Sequence, residues 1–423
     1  MDEPPPLPRP SPARGEGSRL YRELADSPLR EELFPARVAA ERAANERDAA
    51  AVAIGPPPPA ERLRFTGEGA EYFRIWVVNL LLTVLTFGVY SAWAKVRKTR
   101  WFWQNTRLNG HVFDYHGPPA AILRGRLLAL LLLAAYTWSF DISRTAGLVT
   151  IAVLCLVGPW LFMKAQQFRY RNTSWRGLRF GFDAQPRAAY LTLLPLLVIW
   201  FSGTVAGVTL IEDRWLIGAI GVGSLLLFPW MHHALKRYQH DRIRYGREQA
   251  SFEPATAGFY GVYGKSIFLL IAAGAIATLV GVIVATVAAV LAREGGSAPP
   301  VSTSTAMITG FVFLGVVYLM LWPYYAARLQ KIVWANTQLG PVRFATHIKA
   351  APLAKLVFKC VMLTLLTAGF YWPFAAVALA RYRVQCMEVI APAALNEVVA
   401  GVSAPAPAAG EGAVDLFGLD VGL

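Results

Sequence analysis

Two groupings of histidine with aspartate are the first places where this sequence could do chemistry. His111 and His116 flank Asp114, and His232, His233 and His240 lead up to Asp241. A metal centre wants two ligands on one helix face at i, i+4, or a compact loop that carries several. Neither His111/His116 nor His233/His240 has that spacing, so interfacial hydrogen bonding is the expected role and no metal site is expected. The sequence holds no HExxH, no nucleophile elbow and no phosphate loop, and the TGEG of residues 66–69 lacks the lysine such a loop needs. The chain therefore reads as non-enzymatic, with no catalytic residue and no cofactor.

A second set of polar residues recurs. NTRLNGHVF (105–113), NTSWRGLRF (172–180) and NTQLGPVRF (336–344) each place Asn eight residues before Phe, behind a long apolar segment. The amides and hydroxyls of Asn105 and Thr106, Asn172 and Thr173, and Asn336 and Thr337 are suited to tying loose backbone where a helix ends and a strand begins. A ligand role for the three asparagines is the alternative. Gly110, Gly177, Gly246 and Gly340 are expected to end the helices, because glycine accepts a left-handed C-terminal conformation cheaply. A third copy, HDRIRYG (240–246), is worn and reads as Asp241–Arg242 in place of Asn-Thr. A third polar set lies inside apolar segments: Asn79, Thr83, Thr86 and Gly88, matched by Thr364, Thr367 and Gly369 in an identical Thr-x2-Thr-x-Gly-x-Tyr spacing. Buried polar groups in a membrane mark pathways or glue helices together, so these residues form a candidate solute path.

The elements that must position these residues are membrane helices. Hydrophobic residues make up 55% of the 423 positions and charged residues 16%, far from the composition of a soluble domain. Apolar segments fall near residues 75–94, 127–140, 146–163, 190–211, 215–232, 266–291, 307–327 and 356–380. The four long loops between them carry 25 Lys and Arg against 5 acids, whereas the short loops carry 3 against 4. That asymmetry puts the long loops in the cytoplasm and makes three hairpins of the middle six segments. The two end segments are basic on both flanks. They read as short re-entrant helix pairs, with two ordinary spans as the alternative.

The net charge of +14 then has a membrane explanation. Lys95, Arg97, Lys98, Lys164, Lys236 and Arg328 follow the apolar segments, where they can snorkel to anionic headgroups. Membrane lipid is the expected partner and nucleic acid is not. Three scattered cysteines, Cys155, Cys360 and Cys386, make no disulfide framework.

The expected fold is an all-α polytopic membrane protein, built from pseudo-repeated helical hairpins with short aromatic strands at the cytoplasmic face. Residues 1–61 and 388–423 are expected to be disordered tails, the first Pro/Ala-rich and cytoplasmic, with no signal peptide. Residues 62–387 divide into units of about 62–112, 113–179, 180–251, 252–343 and 344–387. Pro159–Trp160, Pro229–Trp230, Trp322–Pro323 and Trp372–Pro373 mark the inner ends of helices, and Pro precedes Asn by thirteen residues in two units.

NTRLNGHVFDYHG, the proline–tryptophan marks, RFTGEGAEYFRIW (64–76) and GFYWPFAAVALARYR (369–383) resemble the YjgN family of bacterial inner-membrane proteins over roughly residues 62–385. The resemblance implies a multi-pass inner-membrane location and no known activity. Transport or conduction of a small solute is the leading functional expectation. A scaffold or lipid-organising role for the basic cytoplasmic face is the alternative.

Overall fold

The structure is a computed structural model that describes residues 60–209, 214–293 and 303–390. The expected disordered tails lie outside the described residues except for their inner margins. Eleven strands and ten helices alternate in a fixed rhythm among those residues. The strands are β1 (Ala60–Arg62), β2 (Arg64–Phe65), β3 (Thr106–Leu108), β4 (His111–Tyr115), β5 (Thr173–Trp175), β6 (Leu178–Phe182), β7 (Ile243–Tyr245), β8 (Glu248–Phe252), β9 (Thr337–Leu339), β10 (Val342–Thr346) and β11 (Met387–Ile390). The helices are α1 (Gly69–Leu85), α2 (Ser91–Gln104), α3 (Pro119–Ile142), α4 (Arg144–Arg171), α5 (Pro186–Val208), α6 (Arg214–His240), α7 (Thr256–Arg293), α8 (Thr303–Ala335), α9 (Ala350–Leu366) and α10 (Trp372–Gln385).

The all-α expectation is overturned by the sheet. All eleven strands join one antiparallel sheet in the order β1-β11-β10-β9-β8-β7-β6-β5-β4-β3-β2. Only Leu63 separates β1 from β2, yet β1 pairs with β11 while β2 pairs with β3. The Leu63 N–H reaches the Met387 carbonyl at 3.1 Å. One kinked segment therefore fastens both edges of the ladder, and the sheet is a nearly closed barrel. The physical reason is edge satisfaction: strands of two to five residues cannot stand alone, and closure leaves few backbone groups unpaired.

Each helical hairpin is an insertion between two paired strands, which gives five strand–helix–helix–strand units. The strands on either side of a hairpin meet at its neck. There the first residue beyond one strand donates to a carbonyl just before the other: Thr66 to Asn105, His116 to Asn172, Asp183 to Arg242, Glu253 to Asn336 and His347 to Cys386, at 2.7–2.9 Å. Consecutive units are joined by two-residue turns. Asn109–Gly110 and Arg176–Gly177 both have positive φ, as a type I′ turn requires. Gly246 and Gly340 have positive φ alone, and Pro341 follows the second of them. The four glycines thus turn β-hairpins; they do not end helices as the spacing predicts.

Among the described residues, five helices are long and apolar enough to cross a membrane: α3, α4, α5, α6 from Trp215, and α7 as far as Ile283. Their leucine- and alanine-rich runs favour helix, and proline at the first turn starts α3 and α5. The α3–α4 turn is a single residue, Ser143, whose Oγ accepts the Ala146 N–H at 3.0 Å and caps α4. The end hairpins are shorter, with 17 and 14 residues in each of α1–α2 and α9–α10. Both ends of each return to the barrel, so each is a helix pair and not a single span. Every helix packs on its chain neighbour, and α10 packs on α1, closing a ring above the barrel.

Candidate functional site: an axial chamber above the barrel

The Asn-Thr pairs sit at the junction of ring and barrel. A helix leaves its last carbonyls short of partners; here side chains reach two of them, the first of which also takes the asparagine's own backbone N–H. Asn105, Asn172 and Asn336 donate from Nδ2 to the carbonyls of Trp101, Phe168 and Ile332 at 2.7–2.9 Å. The buried hydroxyls of Thr106, Thr173 and Thr337 donate one residue later to Phe102, Arg169 and Val333 at 2.7–3.0 Å. The pair thus closes the helix while the backbone already runs into the strand. In the third unit Arg242 makes the neck bond and Ile243 opens the strand. The worn copy is therefore Arg242–Ile243, with Asp241 accepting the Phe252 N–H.

The Thr-x2-Thr-x-Gly-x-Tyr segments form the tips of the two end hairpins. Gly88 N–H bonds to the Thr83 carbonyl and Phe87 N–H to that of Val84; Gly369 to Thr364 and Ala368 to Leu365 repeat the pattern. This is a Schellman motif, with Phe87 and Ala368 at φ near +50° and Gly88 and Gly369 at +90° or above. Thr86 Oγ1 and Thr367 Oγ1 then accept the N–H of Tyr90 and Tyr371 at 2.9 Å, starting the second helix. Thr83 and Thr364 bond back to the carbonyls of Asn79 and Cys360. The hydroxyls of the candidate path are thus all engaged within their own tips. Asn79 is buried, with no hydrogen bond at its Oδ1. The two tips belong to neighbouring hairpins, where Phe73 stacks on Phe374 and Trp76 meets Phe370 edge-on.

The histidines serve as hydrogen-bonding groups. His116 Nε2 lies 2.8 Å from Ser174 Oγ, and His232 Nδ1 lies 2.8 Å from Tyr263 Oη. His233 accepts the Ala255 N–H, and His240 Nδ1 meets Thr337 Oγ1 at 3.2 Å.

The barrel interior is filled by Leu63, Phe65, Leu108, Trp175, Tyr245, Leu339, Met387 and Val389, all buried. Tyr245 Oη donates to the Trp175 carbonyl at 3.1 Å inside this core, and burial raises its pKa. Directly above lies a chamber of about 250 Å³. Counting back from the neck carbonyls explains its walls. Two residues before them stand Trp103, Tyr170, His240 and Trp334; three before, Arg169, Val333 and Arg383; six before, Lys236 and Gln330, all lining the chamber. Phe113, Phe180 and Phe344 of β4, β6 and β10 form the floor. The repeat therefore turns one helical face per unit toward a common axis, aromatic near the barrel and polar one turn higher.

Among the described residues, no carboxylate lines the chamber. Arg383 Nε donates to Gln330 Oε1 at 3.0 Å. Since guanidinium can only donate, the Gln330 amide must turn its oxygen to it and leave Nε2 facing elsewhere. Gln330 is 7% exposed and its Nε2 has no hydrogen-bond partner. Burial lowers the Arg383 pKa from its ordinary value.

Of the cations expected to face lipid, Arg97, Lys98 and Arg328 are exposed, and Lys95 and Lys164 are half-buried. Lys236 corrects the expectation: it is buried and lines the chamber. The chamber residues Arg169, Gln330 and Arg383 escaped sequence reading. Their signal was a fixed distance before the neck residue, which is hidden in the last unit because Cys386 stands where the others have Asn.

Residues 60–416 match the model of a family described as bacterial protein of unknown function (DUF898). The inner membrane protein YjgN of Salmonella typhimurium (strain LT2) is 33% identical over 143 residues, 32% of this chain and 35% of that protein. Its counterparts in Escherichia coli O157:H7 and Escherichia coli K12 are 32% and 31% identical over 153 residues, 35% of this chain and 38% of theirs. The matched stretch thus spans little more than a third of these relatives. No solved structure matches the chain.

Proposed function

Since this chain belongs to the family of bacterial proteins of unknown function known as DUF898, with relatives named as inner-membrane proteins, we propose that it organises anionic lipid around its barrel-side face. In this reading the protein is non-enzymatic and multi-pass, and the barrel lies in the cytoplasm. The observation that carries the reading is a collar of cations at one height. Lys98, Arg97 and Lys95 precede Asn105 by seven to ten residues, and Lys164 and Arg328 precede Asn172 and Asn336 by eight. At 1.5 Å per residue that is about 10–15 Å above the barrel. In α4, twenty residues separate Arg144 from Lys164, about 30 Å of helix, which matches a bilayer's hydrocarbon thickness. The collar thus falls at the headgroup plane. In the first end hairpin Lys95 lies only four residues from Ser91, where α2 begins, about 6 Å of helix, and residues 86–90 form the tip beyond it, so the end hairpins dip into one leaflet.

Conduction straight along the axis is opposed by the packed barrel core, which is why lipid organisation is preferred to transport. The test compares full-length protein reconstituted with phosphatidylglycerol and phosphatidylcholine mixtures. Co-isolated phosphatidylglycerol should be enriched at low salt, and enrichment should fall with salt and in an Arg97→Gln/Lys98→Gln/Arg328→Gln variant. Equal lipid ratios in the wild type and the triple variant would defeat the proposal.

A further inference from the structure

We propose that the outer wall of the barrel is a docking surface for an acidic segment of this same chain, residues 411–420, which follow β11 in the sequence. The surface is a belt of five arginines: Arg64 on β2, Arg107 on β3, Arg179 on β6, Arg244 on β7 and Arg343 on β10. This goes beyond the lipid collar and does not depend on it, because the collar cations stand on α2, α4 and α8 and the belt stands on strands.

Strand alternation turns all five outward. Each is exposed, whereas Phe65, Leu108, Phe180, Tyr245 and Val342, adjacent to them on the same strands, pack in or against the barrel core. Arg64 and Arg107 stand directly opposite each other across β2 and β3. Like charges so placed destabilise a sheet, and an anion between them reverses the sign. Arg244 is opposite Gly181, two residues along from Arg179, which makes the two arginines diagonal neighbours roughly 7–8 Å apart. Three strand steps separate Arg343 from Arg244, and three separate Arg179 from Arg107, about 14 Å each at ~4.8 Å per strand. Among the described residues none of the five arginines makes a side-chain hydrogen bond or ion pair. Four acids of the barrel and its necks are engaged elsewhere: Glu61 accepts the Asn109 N–H, Asp114 and Glu253 accept from Gln104 and Gln338, and Glu388 meets His347.

Charge, attachment and reach select the occupant. Residues 391–423 contain Glu397, Glu411, Asp415 and Asp420 and no Lys, Arg or His, whereas residues 1–59 intersperse ten acids with eight arginines. Three of those four acids fall within EGAVDLFGLD (411–420), which also carries Val414, Leu416, Phe417 and Leu419. Val112, 41% exposed and directly opposite Arg107, offers such side chains an apolar contact within the belt. Ile390, the last residue of β11, is directly opposite Arg343, so the chain departs from the belt itself. The 21 residues from Ile390 to Glu411 can span up to ~70 Å at about 3.3 Å each. One circuit of eleven strands is shorter, about 50 Å at ~4.8 Å per strand. Tethering also gives the segment an effective concentration on the order of millimolar, an advantage over an acidic segment on a separate protein.

The experiment uses the full-length protein in nanodiscs, with photoreactive benzoylphenylalanine in place of Phe417 and adducts mapped by mass spectrometry. The expected result is an adduct within one chain, on β2, β3, β6 or β7. Most of it should be lost at about 1 M salt, where the screening length falls to about 3 Å. It should be lost as well in Arg64→Gln/Arg107→Gln/Arg179→Gln/Arg244→Gln. Glu411→Gln/Asp415→Asn/Asp420→Asn should lose it too, and this variant leaves every residue of the barrel unchanged, so misfolding cannot imitate the result. The Arg97→Gln/Lys98→Gln/Arg328→Gln collar variant should keep the adduct, whether or not its lipid enrichment falls. On the acid-neutralised background Arg64→Gln removes only a like-charge pair and should melt no lower than its parent. Adducts confined to lipid, to a second copy of the chain or to other surfaces would overturn the inference. Wild-type yield in the acid-neutralised variant, or a lower melting temperature for Arg64→Gln on that background, would overturn it equally.

Discussion

Thr337→Val isolates the chemistry of the helix–barrel joint with almost no change of shape. Thr337 is 2% exposed. Its hydroxyl donates to the Val333 carbonyl at 2.7 Å and lies 3.2 Å from His240 Nδ1. Valine fills the same volume but leaves that carbonyl, one of the last four of α8, with no side-chain donor, and takes a partner from His240. Each buried group so stranded costs about 1–3 kcal/mol, so the two together should destabilise by about 2–6 kcal/mol. Thr106→Val and Thr173→Val remove one hydroxyl hydrogen bond each, to the carbonyls of Phe102 and Arg169, and should cost about 1–2 kcal/mol. Thr137→Val supplies a control, since its hydroxyl bonds Leu133 on the exposed face of α3. Denaturant titration of detergent-solubilised protein, followed by tryptophan emission, ranks the four variants. If Thr337→Val were no less stable than Thr137→Val, the claim that the hydroxyl completes the joint would be wrong.

Further outcomes follow from the tips, the core and the membrane orientation. Gly88→Ala and Gly369→Ala, at φ beyond what a side chain accepts, should each lower stability by about 1–2 kcal/mol, whereas Ala368→Gly should match or exceed the wild type in thermal melting. Tyr245→Phe deletes the buried bond to the Trp175 carbonyl and should cost about 1 kcal/mol or somewhat more; an unchanged denaturation midpoint would show that this bond is not structural. On a background without native cysteines, Asn109→Cys should react with an impermeant maleimide only after the cytoplasmic side is opened. Phe87→Cys, at a site 98% exposed in the protein, should resist that reagent from both sides. Labelling of Phe87→Cys from outside would mean that the first hairpin traverses the bilayer.

Local order was readable and long-range closure was not. The apolar runs foretold α3 to α7, because helix in a membrane is forced by backbone hydrogen bonding and leaves a continuous hydrophobic record. The strands left alternation such as Phe113/Tyr115 and Phe180/Phe182, but their joining into one barrel rests on pairing Ala60 with Ile390 and Arg62 with Glu388. No local pattern encodes a partner some 330 residues away. The spacing places the third joint one position early because Asp241 is an extra residue between helix and neck. The spacing assigns the glycines to helix ends, although the neighbours of Gly110 and Gly177, Asn109 and Arg176, also adopt positive φ, a property of paired-strand turns. The chamber was invisible for a related reason: Arg169, Lys236, Gln330 and Arg383 look unrelated until the neck bonds set a common origin.

Fastening the ladder through residues 60–65 also governs the order in which the protein can be made. During synthesis β1 leaves the ribosome long before β11 exists, and α1 waits equally long for α10. Until the final strand arrives, β1 and β10 each present an unpaired edge, a template for wrong partners. The last step of folding is therefore a highly non-local closure, slow by the loop entropy it must overcome. A chain stopped just before Met387 would lack that clasp and keep every membrane-crossing helix, yet hold two raw edges open. The four residues of β11 thus decide whether both edges are covered.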